Sequence, residues 1–150
     1  MASPPNPSNQ GRTENPMPIA LTKHALDVGI VTNDGNRLAC FYRDAFGLES
    51  LEDLVLPGVG TIHRLRLGPS LLRIFVPETA PSGAPGEGGL TERPGYRYLS
   101  FEVENLAAAL DEVEAQGGRV VFGPVEPRPG RRVAQIVDPD GNLSELAQDD

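Results

Sequence analysis

At 150 residues, with 13 Lys and Arg against 21 Asp and Glu, the chain carries a formal charge of −8. That balance, with no Lys/Arg-rich block, excludes a general binder of nucleic-acid backbones, and no apolar run approaches the roughly 18 residues of a membrane span. The single cysteine, Cys40, excludes an internal disulfide and a cysteine-built zinc site.

Residues 1–22 are rich in Pro, Ser, Asn and Gln and predict a disordered tail. No signal-peptide pattern is visible, so a soluble cytoplasmic protein is expected. Residues 25–31 predict a strand with Leu26, Val28 and Ile30 on one face and Asp27, Gly29 and Val31 on the other. Thr32 to Asn36 supply a turn and cap candidates. A helix to about Phe46 follows, with Leu38, Phe41, Tyr42 and Ala45 at helical spacing and Gly47 to end it. Cys40 falls in this pattern and predicts a buried, inert thiol.

Leu48 to Leu56 predicts a weaker strand, and Thr61 to Leu67 and Leu71 to Val76 predict two more. If Gly68 and Pro69 are the two turn residues between the last pair, Leu65 faces Leu72 and Arg64 faces Arg73. Leu65, Leu67, Leu72, Ile74 and Val76 then share an apolar face, and Ile62, Arg64, Arg66, Arg73 and Phe75 the other. His63 is expected on the helix-covered side. Residues 77–95 form a Gly/Pro-rich linker without phosphate-loop spacing.

The first pattern then returns. Tyr96 to Val103 predicts a strand, Asn105 caps a helix to about Gln116, and Gly117-Gly118 stop it. Arg119 to Phe122, Arg131 to Val137 and Asn142 to Ala147 predict three further strands, the last two joined by the Asp138-Pro139-Asp140-Gly141 turn. Strand–helix–three strands, twice, predicts an α+β fold. Each βαβββ module has one helix for two sheet faces, so the uncovered faces must close on each other or on a second chain, enclosing a cleft as a half-open mixed β-barrel. One domain over 23–147 is expected, with module 1 at about 25–76, the linker at 77–95 and module 2 at about 96–147.

Three segments resemble the vicinal oxygen chelate (VOC) superfamily, the glyoxalase, bleomycin-resistance and dioxygenase-like proteins. They are Leu26-Asp27-Val28-Gly29-Ile30-Val31 with Phe41-Tyr42-Arg43-Asp44-Ala45-Phe46-Gly47-Leu48; Tyr98-Leu99-Ser100-Phe101-Glu102-Val103; and Asp138-Pro139-Asp140-Gly141-Asn142-Leu143-Ser144-Glu145-Leu146. The resemblance covers residues 25–147. It implies a homodimer, a small-molecule ligand, and metal ligands in the first, fourth, fifth and eighth strands in the metal-dependent members, commonly His, Glu, His and Glu. Those positions here hold Asp27, Arg73, Tyr98 and Glu145. Only Glu145 fits, and a guanidinium at 73 opposes a cation. His24 and His63 lie off these positions. No metal ligand set and no cofactor are therefore expected, a divalent metal remaining the alternative.

The same four residues suggest another chemistry. Arg73 would stand where relatives hold a cation, flanked by Asp27 and Glu145 in a carboxylate–guanidinium–carboxylate cluster. Tyr98 would donate to a developing oxyanion, and Glu145 or Asp27 would abstract a proton beside a carbonyl. Arg64, Arg66, Phe75, Ser100 and Gln135 are candidate substrate contacts. This reading is a metal-independent isomerase, epimerase or lyase. Its alternatives are a non-catalytic protein that sequesters a drug or metabolite, a divalent-metal enzyme with an atypical ligand set, and a structural role for the Asp27–Arg73–Glu145 cluster. Neither nucleic acid nor membrane is an expected partner.

Overall fold

The structure is a computed structural model describing residues 18–83, 89–92 and 94–150. The elements run β1 (Val28–Val31), α1 (Gly35–Phe46), β2 (Glu49–Ser50), β3 (Leu54–Leu56), β4 (Gly60–Leu67), β5 (Ser70–Pro77), β6 (Leu99–Glu102), α2 (Leu106–Ala115), β7 (Arg119–Arg128), β8 (Arg131–Val137) and β9 (Leu143–Asp149). They form two repeats. In the first, β1 runs parallel to β5, β5 is antiparallel to β4, and β2 and β3 both pair with β4. In the second the order is β6-β9-β8-β7, with β6 parallel to β9. The α+β arrangement of two βαβββ modules is therefore as predicted, with two mixed sheets and no closed barrel.

The hairpin register follows from its turn. Gly68, at φ 54°, and Pro69 connect β4 to β5, so Leu65 faces Leu72 and Arg64 faces Arg73. Leu65, Leu72 and Ile74 are buried under α1, whose Leu38, Phe41 and Tyr42 are also buried. Asp34 caps α1 by accepting from the Arg37 N–H at 3.1 Å, and Gly47 closes it at φ 68°. Asn105 caps α2 in the same way through the Ala108 N–H. Leu106, Leu110 and Val113 of α2 meet Ala134, Ile136 and Leu146, and the two halves share one core. Phe46 and Phe101 stack across the modules with ring centroids 4.5 Å apart.

Polar side chains also join the modules. The Asp138 carboxylate, 3 % exposed, accepts from the Tyr42 hydroxyl at 2.7 Å, from the backbone N–H groups of Asp140 and Asn142, and from the Asn142 amide. Asp140 accepts from the Thr32 hydroxyl at 2.6 Å and from Arg37 at 2.9 Å. The turn read as a simple hairpin connection is thus the point where the second module grips α1 and the end of β1. Burial pushes the Tyr42 phenol well above its ordinary value, with the Asp138 charge adding to it, so Tyr42 remains a protonated donor.

Several boundaries differ from expectation. β1 begins at Val28, so Leu26 precedes it and is 84 % exposed rather than packed. The strand expected over 48–56 is two short pieces, β2 and β3. The strand expected to stop at Phe122 continues to Arg128 through Gly123-Pro124 and Pro127. An outer strand tolerates these breakers because one edge needs no partner, and its register shifts at three places. Cys40 is half-buried, with Arg43 Nη2 3.5 Å from its sulfur, because it lies beside the buried stripe of α1 rather than on it. Of the expected tail, residues 1–17 lie outside the described residues and 18–22 are exposed; of the linker, 84–88 and 93 lie outside them.

Candidate functional site

The helix-free faces of the two sheets carry equivalent rungs of side chains. In the first sheet Gly29, Arg73 and Arg64 stand opposite one another across β1, β5 and β4. Asp27 lies two residues before Gly29 and so projects to the same face. In the second sheet Ser100, Glu145 and Gln135 stand opposite one another across β6, β9 and β8, with Tyr98 two residues before Ser100. The repeat therefore places Asp27 and Arg73 in module 1 where Tyr98 and Glu145 stand in module 2.

Asp27 is the most constrained of the four. Its Oδ2 accepts from Arg73 Nη2 and its Oδ1 from the Leu71 N–H, both at 2.9 Å, and Lys23 adds a second cation at Oδ1. The Lys23 hydrogen bond, then the Leu71 N–H and the Arg73 charge, hold its carboxyl below the usual carboxylate value. Such a carboxylate orients Arg73 better than it takes up a proton. Because the pKa is depressed in the folded state, the carboxylate stabilises the fold above the ordinary value of 3.8, and that contribution is lost as pH falls below it. The stability gap between the wild type and Asp27→Asn, measured by urea unfolding, is expected to be open at neutral pH and to close as pH drops below 3.8. A gap independent of pH would remove Lys23 and Arg73 as the cause.

The expected Asp27–Arg73–Glu145 cluster is not assembled. Among the described residues Arg73 pairs only with Asp27, and Glu145 has no cationic partner within 4.0 Å. Arg73 and Glu145 belong to different sheets, with β1 and β6 between them. Glu145 instead accepts from the Ser100 hydroxyl at 3.3 Å and sits half-buried beside Gln135. Tyr98 lies just outside β6 and is 50 % exposed. Arg64 is drawn toward the loop after β2, donating twice to the Glu52 carbonyl at 2.9 and 2.7 Å, and Arg66 pairs with Glu49 at 2.6 Å. Phe75, between Val31 and Ile62, makes the next rung apolar. His63 is on the helix-covered side as expected, bonded to Asp53 at 3.0 Å and packed against Gly35.

A cavity of about 490 Å³ lies where the free edges of β1 and β6 approach. Val28, Gly29 and Ile30 form one wall and Tyr98 and Leu99 the other, with Tyr42, Tyr96 and Leu143 among the remaining lining residues. A Cβ at Gly29 would meet nothing within 4 Å, so the space beside Gly29 is open. Lys23 escaped the sequence reading, and Thr32, Asp138 and Asp140 were read only as turn residues; Thr32 is 108 positions from its partner Asp140.

The candidate residues thus occupy equivalent positions on the uncovered faces of two repeated modules. The chain belongs to the Glyoxalase/Bleomycin resistance protein/Dioxygenase superfamily, whose model matches residues 23–146. Among solved structures, the protein SMU.1112c is 29 % identical, with a TM-score of 0.66 over 85 % of this chain and 99 % of its own. A glyoxalase family protein from Enterococcus faecalis is 26 % identical, with a TM-score of 0.66 over 84 % and 98 %. A glyoxalase I variant from Zea mays, 22 % identical with a TM-score of 0.65, shares the fold over 81 % of this chain and 44 % of its own. No functionally curated protein matches at the sequence level.

The residues at the family's ligand positions do not suit a metal. Asp27 is neutralised by Lys23 and Arg73, and a dication beside Arg73 would meet a fixed positive charge. Among the described residues no group of three or more His, Cys, Asp or Glu converges.

Proposed function

We propose that the protein is a small-molecule enzyme that moves a proton next to a carbonyl without a metal, as an isomerase, epimerase or lyase. The observation that carries this reading is the repeat-equivalent register of Arg73 beside Gly29 and of Glu145 beside Ser100, with Asp27 and Tyr98 two residues before those partners. Glu145 is the base: among the described residues it pairs with no cation, and Ser100 orients it. Arg73, steered by Asp27, binds the substrate oxygen, and Tyr98 donates to the oxygen as charge develops there. Gln135, Ser100, Phe75, Arg64 and Arg66 remain the proposed substrate contacts. The experiment is a screen of hydroxy- and keto-compounds for isomerisation, with Tyr98→Phe and Glu145→Gln as controls. Turnover unchanged in both folded variants would overturn the assignment.

Metal independence has its own check. Adding Zn²⁺, Ni²⁺, Mn²⁺ or Fe²⁺ to untagged protein is expected to leave the melting temperature unchanged, because a ligand that binds only the native state must raise it. A large rise with one ion would return the protein to the metal-dependent branch.

The exposure of Arg73 and Tyr98 favours a second reading, a binding protein that sequesters its ligand. Tight binding with no product after long incubation would support it. A homodimer suits either reading. The outer strands β3 and β7 expose Leu54, Val55, Leu56, Val121, Phe122 and Val125, which a second copy would cover. A cytoplasmic location is part of the same proposal; among the described residues no helix is long and apolar enough to cross a membrane.

A further inference from the structure

Arg64 and Arg73 face each other directly across β4 and β5, in a chain whose net charge is −8. The Arg64 carbonyl accepts from the Leu51 N–H, on the side away from β5, so the two arginines form the closer, non-hydrogen-bonded kind of antiparallel pair. Like charges placed so are unfavourable. Their surroundings leave much of that charge uncompensated. Asp27 is shared with Lys23, Arg66 is already paired with Glu49, and Arg64 reaches only a backbone carbonyl. Among the described residues, Lys23, Arg64 and Arg73 thus stand against the single carboxylate of Asp27. Among the described residues, Nε and Nη1 of Arg73 and Nη1 of Arg64 have no protein partner. One rung along the same face, Val31, Phe75 and Ile62 are apolar.

We infer that Arg64 and Arg73 form a guanidinium clamp for a carboxylate, and that the Val31–Phe75–Ile62 rung takes the apolar body attached to it. The ligand class is a hydrophobic monocarboxylate. Arg64 turns to the Glu52 carbonyl on the β2 side and Arg73 to Asp27 on the β1 side; an anion draws the two guanidinium groups toward each other over the strand pair and fills the donors these contacts leave over. A cation of the same shape meets two positive charges. This deepens the enzymatic reading by giving the substrate a charge and a shape, and it rests on the uncovered face of module 1 being a ligand surface.

The test is calorimetric binding of 3-phenylpropionate, with 3-phenylpropylamine, propionate and inorganic phosphate as comparisons. The wild type is expected to bind 3-phenylpropionate more tightly than propionate or phosphate, and the amine not at all. Arg64→Gln and Arg73→Gln, both checked by melting, each weaken 3-phenylpropionate binding about tenfold or more, the scale of a lost hydrogen bond to a charged group. Phe75→Ala reduces 3-phenylpropionate affinity toward that of propionate. Glu145→Gln leaves the affinity intact, which separates the clamp from the proton-transfer reading: lost turnover with retained binding supports both. Binding of the amine as tight as that of the acid, affinity unchanged in both arginine variants, or no binding of 3-phenylpropionate would each overturn the clamp. None of these outcomes would touch turnover of neutral carbonyl compounds by Glu145.

Discussion

Asp138→Ala is expected to cost about 2–4 kcal/mol of folding stability, as several donors lose their acceptor at once, a large share of a marginal domain's total. The carboxylate is 3 % exposed and receives the Tyr42 hydroxyl, the Asn142 amide and two backbone N–H groups. Its removal strands these donors away from water, and a buried donor without a partner costs about 1–3 kcal/mol. Tyr42→Phe removes one donor and leaves the others in place, so it is expected to cost only about 1–2 kcal/mol. Urea unfolding of both variants gives the comparison. Equal losses would mean that Asp138 acts through Tyr42 alone rather than as the centre of the turn. Loosening of the turn also releases Asp140 from Thr32 and Arg37, so the seam is expected to open with it.

The second large effect is on chemistry. Glu145→Gln is expected to lower turnover by about 10²–10⁴-fold, the range of a lost general base, with stability little changed. Gln can still accept from the Ser100 hydroxyl through its carbonyl oxygen, so the strand pairing of Ser100 and Glu145 is preserved while the basic oxygen is lost. Ser100→Ala removes only the orienting bond and is expected to have a smaller effect, visible in kcat rather than KM. A large rise in KM with kcat unchanged in Glu145→Gln would assign Glu145 to binding instead.

The repeat was legible because it is written in local terms. Helix stripes, caps and turn glycines are short-range signals, and Gly68-Pro69 set the β4–β5 register before any contact was known. The same alternation put Arg64, Arg73 and Phe75 on the uncovered face. What could not be read depends on distance in sequence or on sheet edges. Asp138 finds Tyr42 across 96 residues, and nothing local distinguishes it from an ordinary turn aspartate. β7 was cut short because its prolines forbid a central strand, and only the sheet order reveals that it is an outer one. The carboxylate–guanidinium–carboxylate cluster failed for a related reason. Equivalent positions in two repeats predict similar rungs; they do not predict that the rungs touch. Lys23, from the segment before β1, gives Asp27 a second cation, while among the described residues Arg73 has no second carboxylate.

The chain has three tyrosines and no tryptophan, and all three tyrosines line the cavity between the modules. Its near-ultraviolet emission therefore comes from one place. Tyr42 is hydrogen-bonded to a buried carboxylate, whereas Tyr96 and Tyr98 stand in solvent. Closing of the seam, or a molecule entering it, changes the surroundings of every emitting ring at once. The protein carries its own optical gauge of that cavity, readable without a label and without a tryptophan background.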